Sequence, residues 1–172
     1  MASSRVQQFR QSLERADVSS TVVGLDEFDA ALADAIETPA VGASLPFPRL
    51  SLSDHAITVD PGPAELRAAT TGVTGSPLGI ASLGTVAVAS RPAGDELVAL
   101  LPEYHVVVLR TADIRVDLES AFDWLTDEFA AGHDSMVLAT GPSATGDMGA
   151  LVQGVHGPER VHAIIVETGE PR

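Results

Sequence analysis

The sequence predicts an α/β protein: a three-layer α/β/α sandwich built on a mixed, mostly parallel sheet. Three observations carry that expectation. Apolar runs of strand length alternate along the chain with stretches whose apolar residues recur at helical spacing. One run, HVVVL, is continuously apolar, as a strand buried on both faces requires. The stretch from Gly72 to Ser90 alternates short apolar pieces with glycine, which reads as a hairpin and makes the sheet mixed.

Each element has its own local reason. Val6, Phe9, Leu13 and Ala16 share one face of an opening amphipathic helix, with Ser3 or Ser4 as its N-cap. Val18 to Gly24 is a strand, and Asp26 caps a helix whose inner face is Phe28, Leu32, Ala35 and Ile36. PAVGASLP and HAITVD, the latter ending at Asp60, each supply a short strand. Pro63 suits the first turn of a helix reaching about Thr70. Ser82-Leu83-Gly84 turns the chain between two strands, and LVALLP and the HVVVL strand follow. Asp117 starts a helix with Leu118, Phe122, Leu125 and Phe129 inward, and Gly132 ends it. Ser135 to Gly141 and His162 to Glu167 are the last two strands. One domain is expected over residues 1–172, with residues 1–17 packed on it as a helix and residues 169–172 as a frayed tail.

Composition excludes several chemistries. The net charge is −14, from 24 acidic and 10 basic residues, and every basic residue is arginine. Without lysine there is no Schiff base and no Walker A phosphate loop. Without cysteine this chain supplies no thiolate to zinc or to an iron–sulfur cluster. No G-x-G-x-x-G follows an early strand, so no cofactor is expected. Scattered arginines in an acidic field argue against nucleic acid as a partner. No apolar run reaches the roughly 18 residues of a membrane span, and no signal-peptide core opens the chain. An acidic, lysine-free surface is what a cytoplasmic protein of a salt-loving organism needs. An ordinary acidic protein of a GC-rich genome has the same composition.

The candidate site is the segment GPSATGDMGALVQGVHGP, residues 141–158, dense in glycine and side-chain donors. It follows a strand, and crevices outside the carboxyl ends of parallel strands are where such sheets hold ligands. Ser143 and Thr145 offer hydroxyls, and Asp147 can orient one of them or accept a proton. His156 sits on a second glycine turn, Gly154 to Pro158, from which it can return as donor or base. With Gly141 and Gly157 these residues suit a small anion, and Ser143, Asp147 and His156 are the candidates for acid–base work. A turn-rich connection with Ser143 as a plain N-cap fits the same residues. Thr145 stands where a nucleophile elbow needs its second glycine, which argues against a serine hydrolase. His156 and His162 lack a third ligand at a metal-site spacing, so no metal is expected. Gly84 and Thr85 present a hydroxyl at the hairpin tip or simply turn the chain. His105, at the head of HVVVL, suits a satisfied strand-end residue; His55 and His133 fall in loops.

Three blocks together resemble one family. GIASLGTVAV, LLPEYHVVVL and TGPSATGDMGALVQGVHGP are similar, in order and spacing, to the LUD domain, specifically its lactate-utilisation protein C (LutC/YkgG) group. The family pattern G-P-S-x-T-x-D…G-x-H-G-P falls on Gly141, Pro142, Ser143, Thr145, Asp147, Gly154, His156, Gly157 and Pro158. L-L-P-x-x-H falls on Leu100, Leu101, Pro102 and His105. The hairpin departs from the family's G-I-A-[DE]-T-G-T, because Ser82 and Leu83 replace the acidic residue and the threonine. The resemblance implies a fold of the sugar-phosphate isomerase and CoA-transferase-like type. It also implies a role in oxidising L-lactate to pyruvate beside iron–sulfur partner subunits; this chain is then expected to be an accessory, non-redox component, with a small-carboxylate or other anion site in the Gly141–Pro158 loop. A stand-alone enzyme on a phosphosugar or acyl-CoA type substrate is the other function such a fold performs.

The charge generates the first prediction. Self-repulsion of a −14 chain is relieved when salt shortens the Debye length to about 3 Å near 1 M. Thermal melts in a potassium chloride series are expected to show a midpoint that rises from dilute buffer to molar salt. A flat or falling midpoint contradicts the halophilic reading.

Overall fold

A computed structural model describes residues 2–133, 135–143 and 156–168. The chain runs in order through α1 (Ala2–Arg15), β1 (Ser19–Gly24), α2 (Phe28–Ala35), β2 (Ala40–Gly42), β3 (Ile57–Val59) and α3 (Pro63–Ala68). It continues through β4 (Thr71–Gly75), β5 (Gly79–Ile80), β6 (Thr85–Ala89), α4 (Asp95–Leu100), β7 (Tyr104–Arg110) and β8 (Ile114–Arg115). α5 (Leu118–Ala130), β9 (Met136–Thr140) and β10 (Arg160–Glu167) complete it.

The α/β class is as expected, but the strands divide into two sheets. Six form a parallel sheet in the order β1-β10-β7-β4-β2-β3. Four form a second sheet, β8-β5-β6-β9, in which β6 runs antiparallel to both neighbours. The glycine-rich stretch is therefore not one hairpin of a single mixed sheet. Its first part, β4, pairs in parallel with β7, and only β5 and β6 form the hairpin. Ser76 makes the crossing: its N–H donates to Val108 O (2.8 Å), and its hydroxyl donates to Leu78 O and accepts from the Ala87 N–H.

Alternation along the central strands assigns the faces. Val106 and Val108 of β7, with Ile164 and Val166 of β10, pack against Phe28 and Leu32 of α2. Val107 and Leu109, with Val161, Ala163 and Ile165, face the other way, towards α1 and the second sheet. There Val6, Phe9 and Leu13 bury the expected stripe of α1. The far side of the second sheet is covered by α5, through Ala121 and Leu125 on Leu78, Ile80 and Ala87.

Several local expectations change. α1 is already helical at Ala2, so neither Ser3 nor Ser4 caps it. Asp26 lies inside a 3-10 turn, Leu25–Glu27, where the Glu27 carboxylate accepts from the Gly24 N–H (3.0 Å) and α2 begins only at Phe28. The first four residues of LVALLP, for which the sequence predicts no element, belong to α4. Asp117 does cap α5, accepting from the Ser120 N–H at 2.9 Å. The inner face of α5 is rotated from the expected one: Leu118, Phe122 and Phe129 are exposed, while Ala121 and Leu125 are buried. The second sheet offers only a narrow apolar strip, and one i, i+4 pair fills it. Among the described residues no helix is long and apolar enough to cross a membrane.

Two glycines hold α1 in place. Gly84 (φ +68°) lies so close to α1 that a Cβ there would sit 2.7 Å from the Ser12 carbonyl. Gly141 (φ +72°) would put a Cβ 2.5 Å from Ala16 O. Both positions require positive φ and close approach at once. Gly94 (φ +80°), by contrast, faces open space. Gly94→Ala is therefore expected to cost about 1 kcal/mol of backbone strain. Gly141→Ala should cost at least about 2 kcal/mol, because overpacking adds to strain. Urea unfolding of the two variants checks this, and equal losses would contradict the clamping role.

Candidate functional site

Gly141, Pro142 and Ser143 do follow a strand's carboxyl end, but that strand is β9 of the second sheet. In space they meet the amino ends of the parallel strands: the Ser143 N–H donates to Pro158 O (2.9 Å), two residues before β10. The expected crevice, at the carboxyl ends of the parallel strands, is built from other residues. There Ser44 donates through its N–H (3.0 Å) and hydroxyl (2.6 Å) to the Asp60 carboxylate. Nearby, Arg91 donates to Ser44 O and to the buried Asp95. Burial raises the Asp95 pKa, and the Ser44 hydrogen bonds lower that of Asp60.

The described ends of the candidate loop meet. The His156 backbone N–H donates to Ser143 Oγ (3.3 Å), and a Cβ on Gly157 would touch Ser143 Cβ at 3.4 Å. Ser143, His156 and Gly157 thus form one corner, with the His156 residue exposed. The Ser143 hydroxyl accepts there and keeps its proton free to donate. Gly157 is not at positive φ, so conformational freedom is not what it supplies. Thr145 and Asp147 lie outside the described residues. The hairpin residues divide: Gly84 lines the same cavity as the corner, whereas the Thr85 hydroxyl pairs with Thr140 Oγ1 (2.6 Å) across β6 and β9 and lies outside it.

That cavity, of about 440 Å³, opens between the two sheets. Val86 and Val88 of β6 and Val137 and Ala139 of β9 form one wall. Ala99 and Leu100 of α4 and Leu13 of α1 close its sides, and His105, Val107 and Val161 form the floor. Ser143, His156 and Gly157 stand at its rim. Among the described lining residues there is no arginine, and Glu96 is the one carboxylate.

His105 is the residue whose importance the sequence understates. It is a satisfied strand-end histidine, since Nε2 meets Thr74 Oγ1 at 2.8 Å, yet it also floors the cavity. Its place on the Val107 and Leu109 side of β7 follows from period-two alternation, which was the signal available. His162, two residues into β10, points to the opposite face and is held by the Ser19 and Thr21 hydroxyls (2.7 and 3.1 Å). Among the described residues no three metal-ligating side chains gather.

Burial lowers the His105 pKa from 6.5 to about 4, so the ring is neutral near pH 7. Between those two values the unfolded chain binds a proton that the folded chain refuses. Stability from this group is therefore whole above about pH 6.5 and falls as pH drops towards 4, by on the order of 3 kcal/mol. His162 is lowered by burial in the same direction. His105→Asn, which removes only the first contribution, is expected to lose less stability than wild type between pH 7 and 4.5 in urea melts. Parallel pH profiles would contradict the buried neutral ring.

The comparisons with known proteins agree with this architecture. The LUD domain matches residues 63–166, more than half of the chain, and the chain belongs to that family. A relative from Deinococcus radiodurans named Lactate utilization protein C is 28% identical over 166 residues, covering 92% of this chain and 78% of the relative. The crystal structure of a DUF162 family protein from Deinococcus radiodurans has the same fold. Its TM-score is 0.76 at 21% identity, over 96% of this chain and 98% of that one.

Proposed function

We propose that this LUD-domain chain is a component of lactate utilisation, an accessory subunit without a redox centre of its own in the oxidation of L-lactate to pyruvate. The observation that carries the reading is the relative named Lactate utilization protein C, aligned along nearly the whole chain. Chemistry supports the division of labour. Oxidising a 2-hydroxy acid to a 2-oxo acid releases two electrons and two protons, which need an acceptor. A chain with no cysteine offers no thiolate for an iron–sulfur cluster. The electrons then pass to cluster-bearing partner subunits, and this chain binds or positions.

The same reading assigns a small carboxylate to the corner where Ser143, His156 and Gly157 meet. The Ser143 hydroxyl has a proton to donate, and it accepts from the backbone N–H of His156, an exposed residue that lines the same cavity. The corner lies at the rim, where a carboxylate keeps part of its hydration, rather than among the apolar walls.

Calorimetric titration of L-lactate and pyruvate into the chain tests the assignment. A hydrogen bond to a charged ligand contributes about 1.5–3 kcal/mol, so Ser143→Ala should weaken binding roughly tenfold or more. The melting temperature should stay near wild type. Absence of binding to wild type, or equal binding by the variant, removes the carboxylate from this corner.

A further inference from the structure

We propose that the body of the cavity between the sheets is a second binding site, for an uncharged, largely apolar molecule with one hydrogen-bonding group that meets His105. The site stands apart from the carboxylate corner and does not depend on it.

Size is the first reason. At about 440 Å³ the cavity falls in the range of roughly 300–1,000 Å³ typical of small-molecule sites and far exceeds what a three-carbon acid fills. The second reason is the chemistry of the walls. Leu13, Val86, Val88, Val107 and Val161 present hydrocarbon, and the small Ala99 and Ala139 leave the space unfilled. Burying a guest's hydrocarbon against such walls is favourable.

Charge decides the class of guest. An anion moving into the body would lose its hydration with no arginine to replace it, and would meet the Glu96 carboxylate. A cation would find one carboxylate, Glu96, already accepting from the Ser90 hydroxyl, and otherwise mostly hydrocarbon. A neutral molecule meets neither cost.

The floor supplies one directional contact. His105 is 4% exposed, and its Nε2 is engaged by Thr74. The imidazole lines the cavity, so a guest bearing one hydroxyl, amine or carbonyl can pair with the ring there. The ring is neutral, so it presents either a donor or an acceptor there rather than a charge.

The test uses N-phenyl-1-naphthylamine, a neutral aromatic amine that fluoresces in apolar surroundings, titrated into the full chain. One saturable site is expected. Ala139→Phe fills the space, and Val137→Trp narrows it from a position that is already exposed. Each should weaken the probe at least tenfold, and the second keeps the test valid if the first fails to fold. His105→Leu should weaken it several-fold, whereas Ser143→Ala and saturating L-lactate should leave it unchanged. Non-saturable binding, or wild-type affinity in a folded Val137→Trp chain, would overturn the site. Displacement by lactate would overturn its separation from the corner. Loss of lactate binding with probe binding intact would remove only the carboxylate reading.

Discussion

Between Gly75 and Gly79 the chain must leave a parallel sheet and enter an antiparallel one, and the hydroxyl of Ser76 makes that step possible. At the crossing the backbone has lost one ladder and not yet joined the next, in a place fully shielded from water. Ser76 resolves the deficit by bonding to both sides, to Val108 on the first sheet and to Leu78 and Ala87 on the second. A buried group left without such partners costs about 1–3 kcal/mol. Because the crossing is fixed, the second sheet stands across α1 from the first, and the gap between them defines the rest of the molecule. Where Phe9, Leu109 and Ile114 fill the gap it is core. Towards the amino ends of the parallel strands the side chains shrink to alanine and valine, and the gap becomes the cavity.

Much of this was legible in the sequence, for identifiable reasons. HVVVL and HAIIVE are apolar on both faces because they lie at the centre of the parallel sheet, so a continuous run betrays them. The stripe of Val6, Phe9 and Leu13 and the Asp117 cap are local signals that tertiary structure left alone. The division into two sheets was hidden, because glycine-rich strand pieces look alike whether their partners are parallel or antiparallel. The face of α5 was misread for a related reason: Phe122 and Phe129 are better apolar anchors than Ala121, but the strip beneath the helix accepts only the smaller surface. For the candidate site, the meeting of Ser143 with His156 and Gly157 was legible from the paired glycine turns. Its position at the amino ends of the parallel strands was not, because that depends on β9 belonging to the second sheet.

The site thus has two chemistries a few residues apart. Its rim carries a hydroxyl, an exposed imidazole and access to water, which suit a small hydrated acid. Its body carries hydrocarbon and one neutral imidazole, which suit an uncharged guest. The two glycines that clamp α1 beneath the hairpin and beside Gly141 shape both parts, since Leu13 walls the cavity and Ala16 lies under the turn leading to Ser143. With no cysteine anywhere in the chain, it supplies no thiolate to an iron–sulfur cluster.

The central claim is that this inter-sheet site serves lactate utilisation. Its most direct measurement is growth of the encoding organism with the gene deleted, on L-lactate and on pyruvate as sole carbon sources. The account predicts that growth on L-lactate is lost and growth on pyruvate is kept. The wild-type gene should restore growth on L-lactate, and a folded Ser143→Ala chain should restore it poorly. Undiminished growth of the deletion strain on L-lactate would contradict the function, and full rescue by Ser143→Ala would contradict the site.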